Sequence, residues 1–184
     1  MISIRQTDKA DYHAIMDLVK KAFRHERYNR RLSLSEMDNS DFFIPELSLV
    51  AEIDNRKIVG HIYLIEISID YSFSTLGLAH IAVTPEYQGL GIGTLMMAKA
   101  HQEAKQFGYG SIISCGGKQF LSRFGYRALS DYGIHYGLFD DHYLAVELYA
   151  GGMADVQTKV DFPLKYYKKI LTAVAQPKCE LIEI

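Results

Sequence analysis

The chain lacks the features that would let chemistry other than packing hold it together. It has two cysteines in 184 residues, Cys115 and Cys179, and no C-x-x-C pair. That spacing excludes a zinc ribbon and a disulfide framework. There is no basic surplus: 20 Lys and Arg stand against 22 Asp and Glu, for a net charge of −2. A nucleic-acid binder needs a basic surface to displace counterions from phosphates, so nucleic acid is not an expected partner. No stretch approaches the ~20 apolar residues that span a bilayer, which argues against a membrane partner. The first residues, Met1 to Gln6, show no basic segment followed by an apolar run, so no secretory signal is expected. A reduced, cytoplasmic protein without a metal follows.

What is present is ordinary globular material. Hydrophobic residues make up 48 % of the chain and charged residues 23 %, as in soluble domains. A chain of this size forms one domain, here residues 1–184, and buries roughly 70 % of its unfolded surface. Ile2 to Gln6 alternates like a strand. Asp8 is placed to cap a helix from Lys9 to about Phe23, whose apolar positions Ile15, Leu18, Val19 and Phe23 recur at helical steps. Arg24 to Asp41 is mixed, with Ser33 or Ser35 able to cap a short helix and Pro45 punctuating its end. Leu47 to Ile53 and Ile58 to Ile69 read as strands joined by a turn at Asp54-Asn55-Arg56, and a third strand runs from about Leu76 to Val83. A helix from about Gly91 to Phe107 buries Ile92, Leu95, Met96, Ala100, Ala104 and Phe107 and stops at Gly108. Ser111 to Cys115 completes a βαβ unit with parallel strands. Gly116-Gly117 opens a short helix to about Phe124, and Tyr143–Tyr149 and Val156–Phe162 are β-rich.

The segment that carries chemistry is Gln88-Gly89-Leu90-Gly91-Ile92-Gly93-Thr94, between a strand and a helix. Glycine opens backbone conformations closed to other residues and removes side chains that would block a ligand. The first N–H groups of the helix have no intrahelical partner, and the dipole adds partial positive charge. The turn is therefore an anion site suited to a pyrophosphate, with Thr94 adding a hydroxyl. A P-loop would need a lysine here, and a dinucleotide fingerprint would need G-x-G-x-x-G directly after the strand. The spacing is G-x-G-x-G, and five residues separate Val83 from Gly89.

With Gln88, Gly91 and Gly93 in the defining places, the segment resembles the Q/R-x-x-G-x-G/A motif of the GNAT N-acetyltransferase superfamily, which follows a strand ending in V-x-P. Phe120-Leu121-Ser122-Arg123-Phe124-Gly125-Tyr126 is similar to the family's second landmark, an aromatic helix end followed by G-F or G-Y. The resemblance covers about Leu76 to Arg127. It implies a single α/β domain: a mixed twisted sheet flanked by helices, with a splayed pair of parallel strands. It implies acetyl-CoA as cosubstrate, a small-molecule or peptide amine as acceptor, and direct attack in a ternary complex. Backbone groups of Ile81, Ala82 and Val83 would pair with the pantetheine arm like an added strand. The N–H groups of Gly89, Leu90, Gly91, Ile92, Gly93 and Thr94 would hold the pyrophosphate. Ser114, Gly117 and Phe120 would lie beside the pantetheine, and a homodimer is compatible with the family.

Acetyl transfer needs an unprotonated amine and gains from protonating the departing thiolate. The tyrosine that usually serves as the family's acid corresponds to Leu121, leaving Tyr126 as the nearby phenol. His80 has the right intrinsic pKa for a base. Its strand parity, however, is opposite to Gly77 and Ala79, which match the family's usual base positions, so a packed histidine is the competing reading. Glu66 on the neighbouring strand is a further candidate base through a water. Cys115 has no adjacent histidine to activate it and reads as a buried structural thiol. The cluster Arg24, Arg27, Arg30 and Arg31 reads as a solvated face or as a site for an anionic acceptor or the coenzyme's 3′-phosphate. His135 and His142 lack metal-ligand spacing. The tyrosines of the last third suit strand packing, an acceptor pocket or a dimer face. A non-catalytic acyl-CoA sensor, a nucleotide- or dinucleotide-binding domain, and transfer of a longer acyl chain or to an oxygen acceptor are the rival readings.

Overall fold

The computed structural model describes residues 1–23, 43–69, 72–134, 142–154, 156, 160–161 and 182–183. The chain divides into two compact units. The first comprises Met1–Ile65, Ala79–Glu103 and Ile182–Ile184, and the second Glu66–Leu78 and Ala104–Leu181. The expected α/β class holds: the strands form a mixed sheet accompanied by helices.

In the first unit, β1 (Ser3–Gln6), β2 (Phe43–Ile53), β3 (Lys57–Ile69) as far as Ile65 and β4 (Ser72–Val83) from Ala79 follow one another in the sheet. β1 and β2 are antiparallel, from Ser3↔Glu52 to Gln6↔Leu49. β2 and β3 form the expected hairpin around Asp54–Arg56, with Arg56 in the left-handed region at φ 61. Pro45 does not end an element, as expected from sequence, but lies inside β2. The β2–β3 register shifts between Phe43 and Ser48, which is where a residue without an N–H is tolerated.

Asp8 caps a 3-10 turn, Lys9–Asp11, and α1 (Tyr12–Ala22) continues from it. The Asp11 carboxylate takes a bidentate pair from Arg5 at 2.6 and 2.9 Å, and Arg5 Nε also donates to Glu52 at 2.9 Å. This ion cluster ties β1, β2 and the helix entrance together. The Arg5 guanidinium holds the Asp11 carboxyl below the usual carboxylate range, against the opposing effect of burial. Leu18, Ala22 and Phe23 then pack on Ala82 of β4.

The helix after β4, α2 (Ile92–Gln106), buries Ile92, Met96, Met97, Ala100 and Ala104. Leu95 and Phe107, expected in that stripe, are half-exposed; Met97 takes up the buried arc instead. A Cβ on Gly60 would stand 2.6 Å from Met96 Sδ and 3.1 Å from Ala51 Cβ. The missing side chain therefore lets α2 lie close on β3.

In the second unit the order is β4, β5 (Ser111–Cys115), β7 (Tyr143–Glu147) and β6 (Arg127–Ala128). β8 (Val160–Asp161) pairs with the end of β3. β4 and β5 run parallel through Thr75↔Ser111, Leu76↔Ile112 and Gly77↔Ile113, and their register stops there. β5 continues to Cys115, paired there with β7 alone among the described residues. Pairing of the parallel strands thus ends before either strand does, as the expected splay requires. The region Arg24–Asp41, with its arginine cluster, and His135 lie outside the described residues.

Candidate coenzyme site

β4 ends at Val83, where the chain is fastened at several points. Thr84 N donates to Val59 O at 2.9 Å, and Pro85–Tyr87 form a 3-10 turn. Gln88 Nε2 reaches back to Val83 O at 3.0 Å. Lys57 Nζ donates to Tyr87 Oη at 3.0 Å, with its ammonium 4.8 Å from the ring centroid. Gly89 and Gly91 then take φ of +74 and +82, and a Cβ at either would meet nothing within 4 Å. The glycines are thus needed for backbone conformation, not for packing. The first helical bond of α2 runs from Leu95 N to Gly91 O at 3.1 Å. The N–H groups of Ile92, Gly93 and Thr94 therefore precede any acceptor within the helix. Gly89, Leu90, Gly91 and Thr94 are exposed. Ile92 and Gly93 are buried, and the arrangement is a concentration of main-chain donors at the positive end of a fifteen-residue helix.

A second polar feature of the same unit is buried. His80 of β4 is 3 % exposed and His61 of β3 is 0 % exposed. His61 Nδ1 and His80 Nε2 are 2.7 Å apart, and His61 Nε2 is 3.1 Å from Ser48 Oγ. Ser48 Oγ in turn is 2.9 Å from Thr7 Oγ1, and Thr7 is only half-buried. Burial lowers the pKa of both rings: His80 falls to about 4, and His61 falls well below 6.5 with His80's charge opposing its own. Both are neutral at pH 7. His80 Nδ1, although buried, has no hydrogen-bond partner among the described residues. His61, Ser48 and Thr7 were not singled out from sequence. Only the β2–β3 and β1–β2 registers bring them into line, and no local pattern announces those registers.

Residues 12–125, more than half of the chain, match the profile of the Acetyltransferase (GNAT) family. The chain belongs to that family. Among curated proteins it is 26 % identical over 82 residues to the uncharacterized N-acetyltransferase YhbS of Escherichia coli K12. That stretch is 44 % of this chain and spans about half, 49 %, of the relative. The fold matches the Escherichia coli YhbS crystal structure in complex with CoA with a TM-score of 0.82 at 17 % identity, over 100 % of this chain and 96 % of the other. A Brucella melitensis GNAT acetyltransferase in complex with acetyl-CoA matches with a TM-score of 0.66 at 22 % identity, over 80 % and 88 % of the two chains. At these identities the likeness is one of fold.

For this GNAT chain the expected site residues fall into two groups. Ile81, Ala82, Val83 and Gln88 to Thr94 lie in the first unit. There, however, the β4 edge is occupied: β9 (Ile182–Glu183) pairs with it in parallel, Ile81↔Ile182 and Ala82↔Glu183. Main-chain groups expected to meet pantetheine are thus hydrogen-bonded to the chain itself. Ser114, Gly117, Phe120, Glu66 and Tyr126 lie in the second unit. Ser114 Oγ is buried without a hydrogen-bond partner among the described residues. Gly117, at φ 70, caps the short helix α3 (Lys118–Leu121). Phe120 is buried against Phe124, edge-on at 5.0 Å, with the Arg123 guanidinium 4.7 Å above its ring. Glu66 accepts from Tyr109 Oη at 3.2 Å and is half-buried. Tyr126 is 4 % exposed, and burial raises its phenol pKa. Leu121 is fully buried and Cys115 is a buried free thiol. Among the described residues no group of acidic, histidine or cysteine side chains could hold a metal, and no helix is long and apolar enough to cross a membrane.

Proposed function

We propose that the protein is an acetyl-CoA-dependent N-acetyltransferase of the cytoplasm that acetylates an amine by direct attack in a ternary complex. The observation that carries this reading is the Gly89–Thr94 turn. Two glycines at positive φ lead into α2, and the N–H groups of Ile92, Gly93 and Thr94 are left without helical acceptors. A pyrophosphate satisfies those donors and meets the helix dipole with the favourable sign. Gln88 supports the turn through its bond to Val83 O. The main chain of Ile81 to Val83 carries the pantetheine arm in the manner of an added strand. Because β9 holds the same main chain, coenzyme entry displaces β9. A bound thioester then places its carbonyl near donors of β4, which stabilise the oxyanion formed on attack.

Calorimetric titration of the purified chain with acetyl-CoA, CoA, NAD and ATP tests the reading. Binding of acetyl-CoA and CoA alone supports the site, and thiol release in the presence of primary amines then supports turnover. Preference for NAD or ATP, or absence of acetyl-CoA binding, removes it. Coenzyme binding without thiol release with any amine tested leaves a sensor of acyl-CoA in its place.

A further inference from the structure

Main-chain N–H and C=O groups of a buried strand need partners, because water cannot reach them. β4 meets this demand unevenly along its length. Ile81, Ala82 and Val83 are all buried. On one edge β3 accompanies β4 to its end, where Thr84 N donates to Val59 O at 2.9 Å. On the other edge β5 pairs with β4 only as far as Gly77↔Ile113. The stretch beyond Gly77, which leads to the glycine turn, therefore needs another partner on that edge.

β9 supplies one at Ile81 and Ala82. Ile182 pairs with Ile81 and Glu183 with Ala82, in parallel. Parallel pairing runs β9 in the direction of β4, toward Gln88 and the turn. Ile182 and Glu183 belong to the same compact unit as Ala79–Glu103. An uncovered edge is a template on which a second chain can pair, so covering it has a use of its own while no coenzyme is bound. The cover is short, at two residues, and contributes few hydrogen bonds. A strand of that length closes an edge without holding it permanently.

We propose that β9 is an autoinhibitory strand: it holds the main-chain groups of Ile81 and Ala82 that pantetheine requires, and so sets how tightly the chain binds its coenzyme. This rests on the reading of the site as an acetyl-CoA site and names its regulation. Pantetheine is extended and carries amide groups, so it replaces a strand on an open edge by the same kind of bonds. β9 and pantetheine claim the same donors and acceptors, and only one of them is seated at a time. Linkage makes the exclusion reciprocal. Coenzyme binding releases Ile182 and Glu183, and whatever holds those two residues off β4 raises coenzyme affinity by the same factor. Because β9 is tethered, it competes at a fixed effective concentration, whatever the concentration of the protein. The register of β9 reaches Ala82 and stops short of the turn. The N–H groups of Ile92, Gly93 and Thr94 stay available to a diphosphate while the pantetheine path is closed. Inhibition therefore acts on one part of the coenzyme and spares the other.

That division supplies the test. Ile182→Pro combined with Glu183→Pro removes both N–H groups of β9 and keeps the length of the chain. Calorimetry compares this variant with the wild-type chain for two ligands: acetyl-CoA, and adenosine 3′-phosphate 5′-diphosphate, which has the diphosphate without pantetheine. The expected result is acetyl-CoA binding tighter by about fivefold to tenfold in the variant, the worth of one or two main-chain hydrogen bonds. Affinity for the diphosphate fragment should not change. Equal or weaker acetyl-CoA binding in the variant overturns the proposal. An equal gain for both ligands also overturns it, since β9 would then act on the turn and not on the pantetheine path. A second measurement needs no substitution: amide hydrogen exchange of the wild-type chain with and without CoA. CoA should speed exchange at Ile182 and Glu183 while Ile81 and Ala82 stay protected. Exchange at Ile182 and Glu183 that is unchanged or slowed by CoA means that β9 stays on β4, and the proposal fails. If neither protein binds acetyl-CoA, the coenzyme reading itself falls and the autoinhibition with it, a result distinct from equal and measurable affinities.

Discussion

The glycine turn and the histidine file lie within one unit, and their residues are separated by only eight positions along the chain, from His80 to Gln88. They solve opposite problems. The turn exposes Gly89, Leu90, Gly91 and Thr94, uses main-chain N–H groups, and depends on the absence of side chains. The file is buried, uses side chains only, and depends on a register that brings three strands' worth of residues into a row. Exposed donors that await an anion cost little, since water satisfies them meanwhile. Buried groups must satisfy each other, so the file from Thr7 through Ser48 and His61 to His80 is complete except at His80 Nδ1.

The largest expected effect breaks the turn. Gly91→Glu places a carboxylate where pyrophosphate binds and a Cβ at φ +82. Acetyl-CoA affinity in calorimetry should fall by at least about 100-fold, or ~2.7 kcal/mol. Asparagine tolerates the left-handed conformation, so Gly91→Asn should lose less than about tenfold. Equal losses in both variants would mean that conformation, not charge, is what the site reads. The next effect acts on the file alone. A histidine whose folded pKa lies below its unfolded value of 6.5 leaves the unfolded state binding more protons between the two values. The stability linked to His80 is therefore complete above about pH 6.5 and is lost as the pH falls toward 4. The slope is ~1.4 kcal/mol per pH unit for each such ring. Denaturant unfolding between pH 7 and 5 should show this slope, and His80→Gln should reduce it. The coenzyme affinity of the turn should not follow it.

The contrast also explains what could be read in advance. The turn was legible because its signal is local: three glycines at fixed spacing between an apolar strand and an amphipathic helix. The parallel pairing of β4 with β5 was legible from the βαβ pattern. The file was not. His80 was noticed for its chemistry, but its partners at positions 7, 48 and 61 come from separate strands or strand ends, and register is set by packing rather than by neighbours in sequence. Leu95 and Phe107 were misjudged for a related reason. Helical period gives a stripe, but which edge of the stripe is covered depends on the partner surface, and Met97 lies on the covered edge. β9 was not foreseen either, since a two-residue strand carries no periodicity.

Two smaller effects sharpen the comparison at the boundary between β4 and the turn. A chain truncated after Leu181 loses β9 and frees the main chain of Ile81 and Ala82. Each hydrogen bond that coenzyme no longer has to displace contributes about 0.5–1.5 kcal/mol. Acetyl-CoA affinity should therefore rise several-fold, while a fall would show that β9 completes the site instead of competing for it. The smallest effect concerns Gln88, whose amide closes on Val83 O across the start of the turn. If the side chain only shapes the backbone, Gln88→Ala should cost about 1 kcal/mol of stability and no more than about threefold in affinity. If affinity falls tenfold or more with stability unchanged, the Gln88 amide turns from Val83 to the ligand. The turn would then bind through a side chain as well as through its main chain, and the division between an exposed backbone site and a buried side-chain file would not hold at this residue.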